Sequence, residues 1–189
     1  MREREPMRVR WLFLPVLGAA LAHAPVLRFD LLRALKHPID SGATFRGRRL
    51  FGENKTWRGA ATMFSGAFVA TLLLWRSEWY RRRLPDDLQH VRPRTVGALL
   101  GGSVVIGELP NSFVKRQLDI VPGDHVRSPA GVAISLFDQM DFVVAAWLLL
   151  RPVYRMSSRE LIDASLTVTA VHLPINVIGY AVGARTTAV

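Results

Sequence analysis

Apolar residues gather in five blocks, at 11–27, 60–75, 96–109, 131–150 and 161–182, with short basic stretches between them. A helix that crosses a bilayer needs roughly 20 mainly apolar residues. Several of these blocks reach that length only by including polar positions, and the third is short and ends at a proline. The pattern predicts an all-α, polytopic integral membrane protein with about five transmembrane helices in a single domain, 1–189. It leaves room for one block to be re-entrant or interfacial instead.

The first block has two readings. Arg2, Arg4, Arg8 and Arg10 precede it and Ala22-His23-Ala24 closes it, which imitates a signal peptide and its cleavage site. Retained, the same block forms a helical hairpin with 60–75, and this is the expectation carried forward. Loop charge does not orient the chain. With five spans, twelve Lys and Arg fall on one side and thirteen on the other, so the positive-inside rule favours neither orientation.

Averages say less than segregation. Mean hydropathy is only +0.19 and 21% of residues are charged, yet the net charge is +10 and the pI about 11.2. The cations sit in connections between apolar blocks, which fits anionic lipid headgroups. No RNA- or DNA-binding motif is present, so no nucleic-acid partner is expected. Cysteine is absent, which excludes disulfides, zinc thiolates and cysteine nucleophiles. Gly97 with Gly101, and Gly179 with Gly183, are spaced for close helix packing in lipid. His172 and Asn176 share a face of the last block, suited to hydrogen bonds between helices or to substrate contact.

The connection 28–59 contains Gly47-Arg48-Arg49-Leu50-Phe51-Gly52-Glu53-Asn54-Lys55-Thr56. It falls short of a phosphate-binding P-loop, because two residues separate the second glycine from the lysine and no strand precedes it. A glycine-permissive loop remains, with Lys55 and Arg58 near a helix start. Such a place can meet phosphate, or simply lie on headgroups.

The chemistry concentrates downstream. Asn111-Ser112-Phe113-Val114-Lys115-Arg116 sets two cations beside a hydroxyl, and Asp138-Gln139-Met140-Asp141 places two carboxylates one helical turn apart. Paired carboxylates suit Mg²⁺, a hard ion that bridges to substrate phosphates, and Glu108 is a third candidate ligand. Glu108, Ser112 and Lys115 would align on one helix face, but Pro110 argues against a continuous helix. The bland alternative is that the aspartates neutralise Lys115 or Arg116 as ion pairs. Intramembrane charge is costly and tends to be functional.

At these residues the chain resembles the CDP-archaeol synthase family, membrane cytidylyltransferases related to the CTP:phosphatidate cytidylyltransferases. Ser112-Phe113-Val114-Lys115-Arg116 matches the S-x-x-K-R element, Val121-Pro122-Gly123 the Pro-Gly turn, and Asp138-Gln139-Met140-Asp141 the D-x-x-D end. Pro38-Ile39-Asp40-Ser41-Gly42 and Asn54-Lys55-Thr56-Trp57-Arg58-Gly59 resemble its first-loop motifs, and His172 with Asn176 its last-helix pattern. The match runs from about Ala22 to the C-terminal helix, with the motifs in order.

The resemblance implies five spans, a retained first helix and a multi-pass protein of the cell membrane whose site faces the cytosol. It implies CTP and a lipid phosphate as substrates and Mg²⁺ as cofactor. Asp138, Asp141 and Glu108 would hold the metal. Lys115 joins Asp138 and Asp141 in the catalytic set and, with Arg116 and Lys55, would offset triphosphate charge; Asp40, Asn54, Arg58 and Ser112 complete the substrate-binding set. One departure stands out: Gly107-Glu108-Leu109-Pro110-Asn111 occupies the place where the family usually has Gly-Asp. The lipid's chains, its ether or ester linkage and the oligomeric state stay open. So do two other classes, a non-catalytic membrane module that binds anionic lipid or nucleotide and a small membrane transporter.

Overall fold

The computed structural model describes residues 5–120 and 140–181, with side chains over 8–120 and 140–171. The first apolar block forms α1, Glu5–Leu12, a single 3-10 turn at Leu14–Val16 and α2, Leu17–Arg28. The second forms α3, Trp57–Trp75. It begins three residues earlier than the hydropathy suggests because Thr56 caps it. Thr56 is extended, and its hydroxyl accepts the Gly59 amide at 3.2 Å, one of the donors a helix start leaves unpaired.

Two short helices, α4 (Glu78–Arg81) and α5 (Asp86–Gln89), turn the chain back into α6, Pro93–Gln117. Pro93 suits that start, since its missing amide is one the first turn would not use. Tyr80, Leu84 and Leu88 are fully buried and close this end of the bundle. The helix α7 is described as Met140–Leu149. Ser157 and Glu160 then form a reciprocal capping box, with Ser157 N to Glu160 Oε2 at 2.8 Å and Glu160 N to Ser157 Oγ at 3.4 Å. That box starts α8, Ser158–Ala181.

All five blocks therefore fall on helices, the fourth described only from Met140. Among the described residues, two helical runs are long and apolar enough to cross a membrane, Arg8–Arg28 and Trp57–Trp75. The five-span expectation is met to that extent. At 25 residues α6 has the length. Its apolar character is diluted by Glu108 and Asn111, which belong to the chemistry-bearing segment. The expected interruption at Pro110 does not occur, and α6 continues through it. Proline removes one hydrogen bond, to the Ile106 carbonyl, and the helix is held on both sides of that point.

Small residues set the packing. Antiparallel α2 and α3 meet at Gly18 and Gly66, where a methyl group on Gly66 would lie 2.3 Å from the Gly18 carbonyl oxygen. Gly97 and Gly101 face Phe68 and Phe64 of α3, with room for no side chain at Gly101 (2.9 Å to the Phe64 carbonyl). The sequence expectation for that pair holds. In turn, α7 lies on α6 at Gly107, whose added Cβ would stand 2.7 Å from Phe142 Cα and 2.8 Å from the Asp141 carbonyl oxygen. Contacts between α1 and α8 close the bundle, reinforced by Arg10 on Asp163 (Nε to Oδ2, 2.7 Å).

Candidate functional site

The connection 29–56 is a closed structure with a neck. Ile39 N donates to the Lys55 carbonyl at 2.8 Å, Trp57 N to the His37 carbonyl at 3.0 Å, and Pro38 bridges Thr56. The neck fixes Lys55 one residue before the α3 cap. Beyond it, β1 (Thr44–Phe45) and β2 (Arg48–Arg49) make a two-stranded hairpin. Its turn, Arg46-Gly47, has φ of +53° and +81°, the two left-handed positions that match a hairpin's twist.

Asp40 organises the interior of this loop. One carboxylate oxygen accepts Arg49 Nη2 at 2.5 Å and the Gly42 amide at 3.1 Å; the other accepts the Phe51 and Gly52 amides at 3.0 and 3.1 Å. Burial pushes the Asp40 carboxyl up. Arg49 and the three backbone amides outweigh that and hold it well below the usual carboxylate range. Both oxygens of this expected substrate ligand are thus engaged by its own loop.

The hairpin docks on the end of α6. Arg48 reaches the Gln117 carbonyl and the Asp119 carboxylate, and the Phe45 and Phe113 rings lie 5.8 Å apart. Gly52, at φ +85°, lets the loop backbone approach Arg116, whose Cδ would be 3.2 Å from an added Cβ. Arg116 Nη2 donates to the Ile120 carbonyl just past the helix, while its buried Nε has no partner among the described residues. Lys55 forms an ion pair with Glu108 of α6, both side chains about 30% exposed (28% and 31%).

Because α6 runs through Pro110, Glu108, Ser112 and Lys115 do share a helix face, at spacings of four and three residues. Asn111 between them is buried. The Gly107 contact sets the α7 backbone at Asp141 against the turn of α6 that carries Glu108. Asp141 is buried at 8% exposure, and Oδ1 accepts its neighbour's amide, Phe142 N, at 2.5 Å. Glu108, Lys55, Arg116, the Ser112–Lys115 face and Asp141 therefore converge where the loop, α6 and α7 meet.

Arg58 goes elsewhere. Its guanidinium is buried and held by Asp30 Oδ1 at 2.6 Å and the Leu31 carbonyl at 3.2 Å, tying the start of α3 to the end of α2. Arg58 in turn holds the Asp30 carboxyl below its ordinary value, with help from Lys36 and Arg33. Asn54 is exposed on the loop beside Lys55. Asp138 and the Val121-Pro122-Gly123 turn lie outside the described residues. His172 and Asn176 lie on α8, beyond the described side chains.

Sequence reasoning missed four parts. Gly107 is the seat for α7, signalled only by a glycine beside a charge in an apolar helix. Arg48 and Asp119 form the clamp on α6, and Asp30 is the partner of Arg58. His23 joins α2 to α3 through Nδ1 and Thr62 Oγ1 at 2.7 Å, near Glu108, Arg58 and Lys55.

Hard oxygen donors are what Mg²⁺ requires, and Asp141 with Glu108 supplies two at adjoining helices. Among the described residues no group of three or more acidic or histidine side chains is gathered closely enough to hold a metal. The carboxylate expected one turn before Asp141 is Asp138.

Residues 7–188 match the family model described as CarS-like, CDP-archaeol synthase. A CDP-archaeol synthase of Thermofilum pendens is 35% identical over 187 residues, spanning 96% of this chain and 81% of that one. Another, from Pyrococcus furiosus, is 32% identical over 144 residues, 76% of this chain and 78% of that one. A solved structure of an intramembrane enzyme for archaeal membrane lipid biosynthesis superposes with a TM-score of 0.62 at 25% identity. It covers 88% of this chain and 90% of its own.

Proposed function

This chain belongs to the CDP-archaeol synthase family, and from that premise we propose that it transfers the cytidylyl group of CTP to an archaeol-type ether-lipid phosphate. The lipid phosphate oxygen attacks the α-phosphorus of CTP, the bond to the β,γ-diphosphate breaks, and the products are a CDP-activated lipid and pyrophosphate. We place the reaction at the cytosolic face of the cell membrane, in a multi-pass protein of five spans. The observation that carries the reading is the convergence of Lys55, Glu108, Ser112, Lys115, Arg116 and Asp141 at one end of the bundle.

Each residue has a physical task. Lys115 and Arg116 offset the triphosphate charge at the last turn of α6. Lys55 joins them from the loop and keeps its charge company with Glu108 until substrate arrives. Ser112 and Asn54 donate hydrogen bonds. Asp138, Asp141 and Glu108 are the residues that would hold Mg²⁺, which neutralises developing charge and orients both oxygens when bound. No general base is required, since a lipid phosphate is ionised at neutral pH. Fixed charge and positioning supply the acceleration. Asp40 and Arg58 act one step removed, by shaping the loop and anchoring α3. Glutamate at 108, one methylene longer than the family's aspartate, reaches Lys55 across the loop–helix gap, which supports retained activity.

The test is turnover of labelled CTP by purified protein with Mg²⁺ and a panel of ether- and ester-linked lipid phosphates. Formation of CDP-lipid with stoichiometric pyrophosphate, fastest with the ether lipid, is the expected result. CTP binding without turnover on any lipid phosphate would leave a binding module; solute flux in proteoliposomes would leave a transporter.

A further inference from the structure

At the far end of the bundle from the loop, the end of α3 and the start of α6 border a shallow, open cleft of about 290 Å³ lined by Leu72, Trp75, Arg76, Pro93 and Arg94. The 19 residues of α3 separate it from the loop, roughly 27 Å at 1.5 Å per residue, close to the hydrocarbon thickness of a bilayer. Of the five tryptophans, four gather at this end. Trp11 packs edge-on against Trp79 at 5.0 Å, Trp75 forms the cleft's apolar floor, and Trp147 donates to the Met156 carbonyl at 3.0 Å. Tryptophan concentrates at headgroup depth.

Several cations here are already used. Arg8 pairs with Asp86, Arg82 with Glu78, Arg83 lies 3.9 Å over Trp79, and Arg151 lies 4.7 Å over Trp147. Among the described residues the guanidinium groups of Arg76 and Arg94 have neither a carboxylate nor a hydrogen-bond partner. Arg94 also stands in the first turn of α6, which has no acidic residue and no side-chain cap. A cation at that positive helix end is unfavourable, and an anion beside it relieves the repulsion. Two exposed guanidinium forks over an apolar floor match a phosphate carried on a hydrocarbon chain.

We propose that this cleft binds the headgroup of an anionic membrane phospholipid from the leaflet opposite the reaction, with its phosphate on Arg76 and Arg94 and its chain along Leu72 and Trp75. The bound lipid is a resident of the enzyme and is distinct from the lipid that reacts.

Native mass spectrometry of the purified full-length protein tests this, with phosphatidylglycerol, phosphatidylcholine and inorganic phosphate as probes. One phosphatidylglycerol is expected to survive delipidation and phosphatidylcholine is not. Replacing both cations (R76Q with R94Q) should weaken that retention roughly 10- to 30-fold. Leu72→Glu, which sets a carboxylate beside the same guanidiniums, should expel the lipid likewise and guards against a misfolded double variant. Exposed Arg81 and Arg155 lie outside the cleft, so R81Q with R155Q should retain the adduct. Unchanged retention in either cleft variant, or equal loss in the R81Q/R155Q control, overturns the proposal. Displacement by equimolar inorganic phosphate would show a soluble-anion site and overturn it too.

Discussion

Both ends of the bundle are rich in arginine and handle it differently. At the loop end cations meet carboxylates or carbonyls: Arg49 on Asp40, Arg58 on Asp30, Arg48 on Asp119, Lys55 on Glu108 and Arg116 on the Ile120 carbonyl. At the far end Arg8, Arg10 and Arg82 also meet carboxylates, but Arg83 and Arg151 stack on tryptophan while Arg76 and Arg94 stand open. On the proposed function the loop end must bind a ligand more anionic than its own carboxylates yet stay folded without it. Internal pairing keeps those cations ordered in the meantime. An anchoring end has the membrane always present and can leave cations such as Arg76 and Arg94 without an internal substitute. A net charge of +10 is thus the sum of two unlike uses.

The strongest test of this contrast is at Asp141. Asp141→Asn keeps shape and removes the charge, and should lower CTP turnover about 1,000-fold without lowering Tm. Turnover within tenfold of the parent would remove Asp141 from the site. Next comes the seat of α7. Gly107→Val drives a side chain into Phe142 Cα and should cost about 1–3 kcal/mol, read as a fall in Tm with activity lost alongside. Gly102 faces the same helix with 3.8 Å to Leu149 Cδ1, so Gly102→Ala should hold or raise Tm by the helix preference for alanine.

Acid should spare the loop for longer than an ordinary carboxylate would allow. The Asp40 carboxyl is depressed in the folded protein, so its contribution is complete above its unfolded value near pH 4. It is lost only as pH falls through the lower folded value. Amide exchange at Phe51 and Gly52, corrected for intrinsic rates, should stay protected from pH 7 down to about pH 4. Asp40→Ala should open both amides at every pH, at about 1.5–3 kcal/mol for the charge-assisted bonds. Protection already lost in the parent by pH 5 would show that another contact holds the loop. The smallest effect is expected at Glu108→Asp. A carboxylate one methylene shorter still offers an oxygen donor to Mg²⁺ but loosens Lys55, and should raise the KM for CTP several-fold with kcat nearly unchanged.

What the sequence disclosed depended on how local the cause was. Helix positions, the Gly97–Gly101 contact and the shared face of Ser112 and Lys115 follow from spacing within one element. Pro110 misled because a proline's penalty is local while the helix around it is held from both sides; tertiary packing settled the matter. Contacts between distant segments were invisible. Glu108 meets Lys55 across 53 residues and Arg48 meets Asp119 across 71, and neither side chain advertises its partner. Arg58 looked like a phosphate ligand by type and place, but Asp30 is nearer. The ordered motifs recovered the family because they record that distant assembly, which spacing alone does not.

The neck of the loop has a consequence for how such a chain can change over time. Hydrogen bonds from Ile39 to Lys55 and from Trp57 to His37 fix the position of Lys55 from the stem upward. Nothing in that placement depends on how many residues lie between the two arms of the hairpin. The Arg46-Gly47 tip is therefore a place where insertions and deletions can accumulate without shifting the lysine, so length can drift there while the Lys55 position is inherited intact.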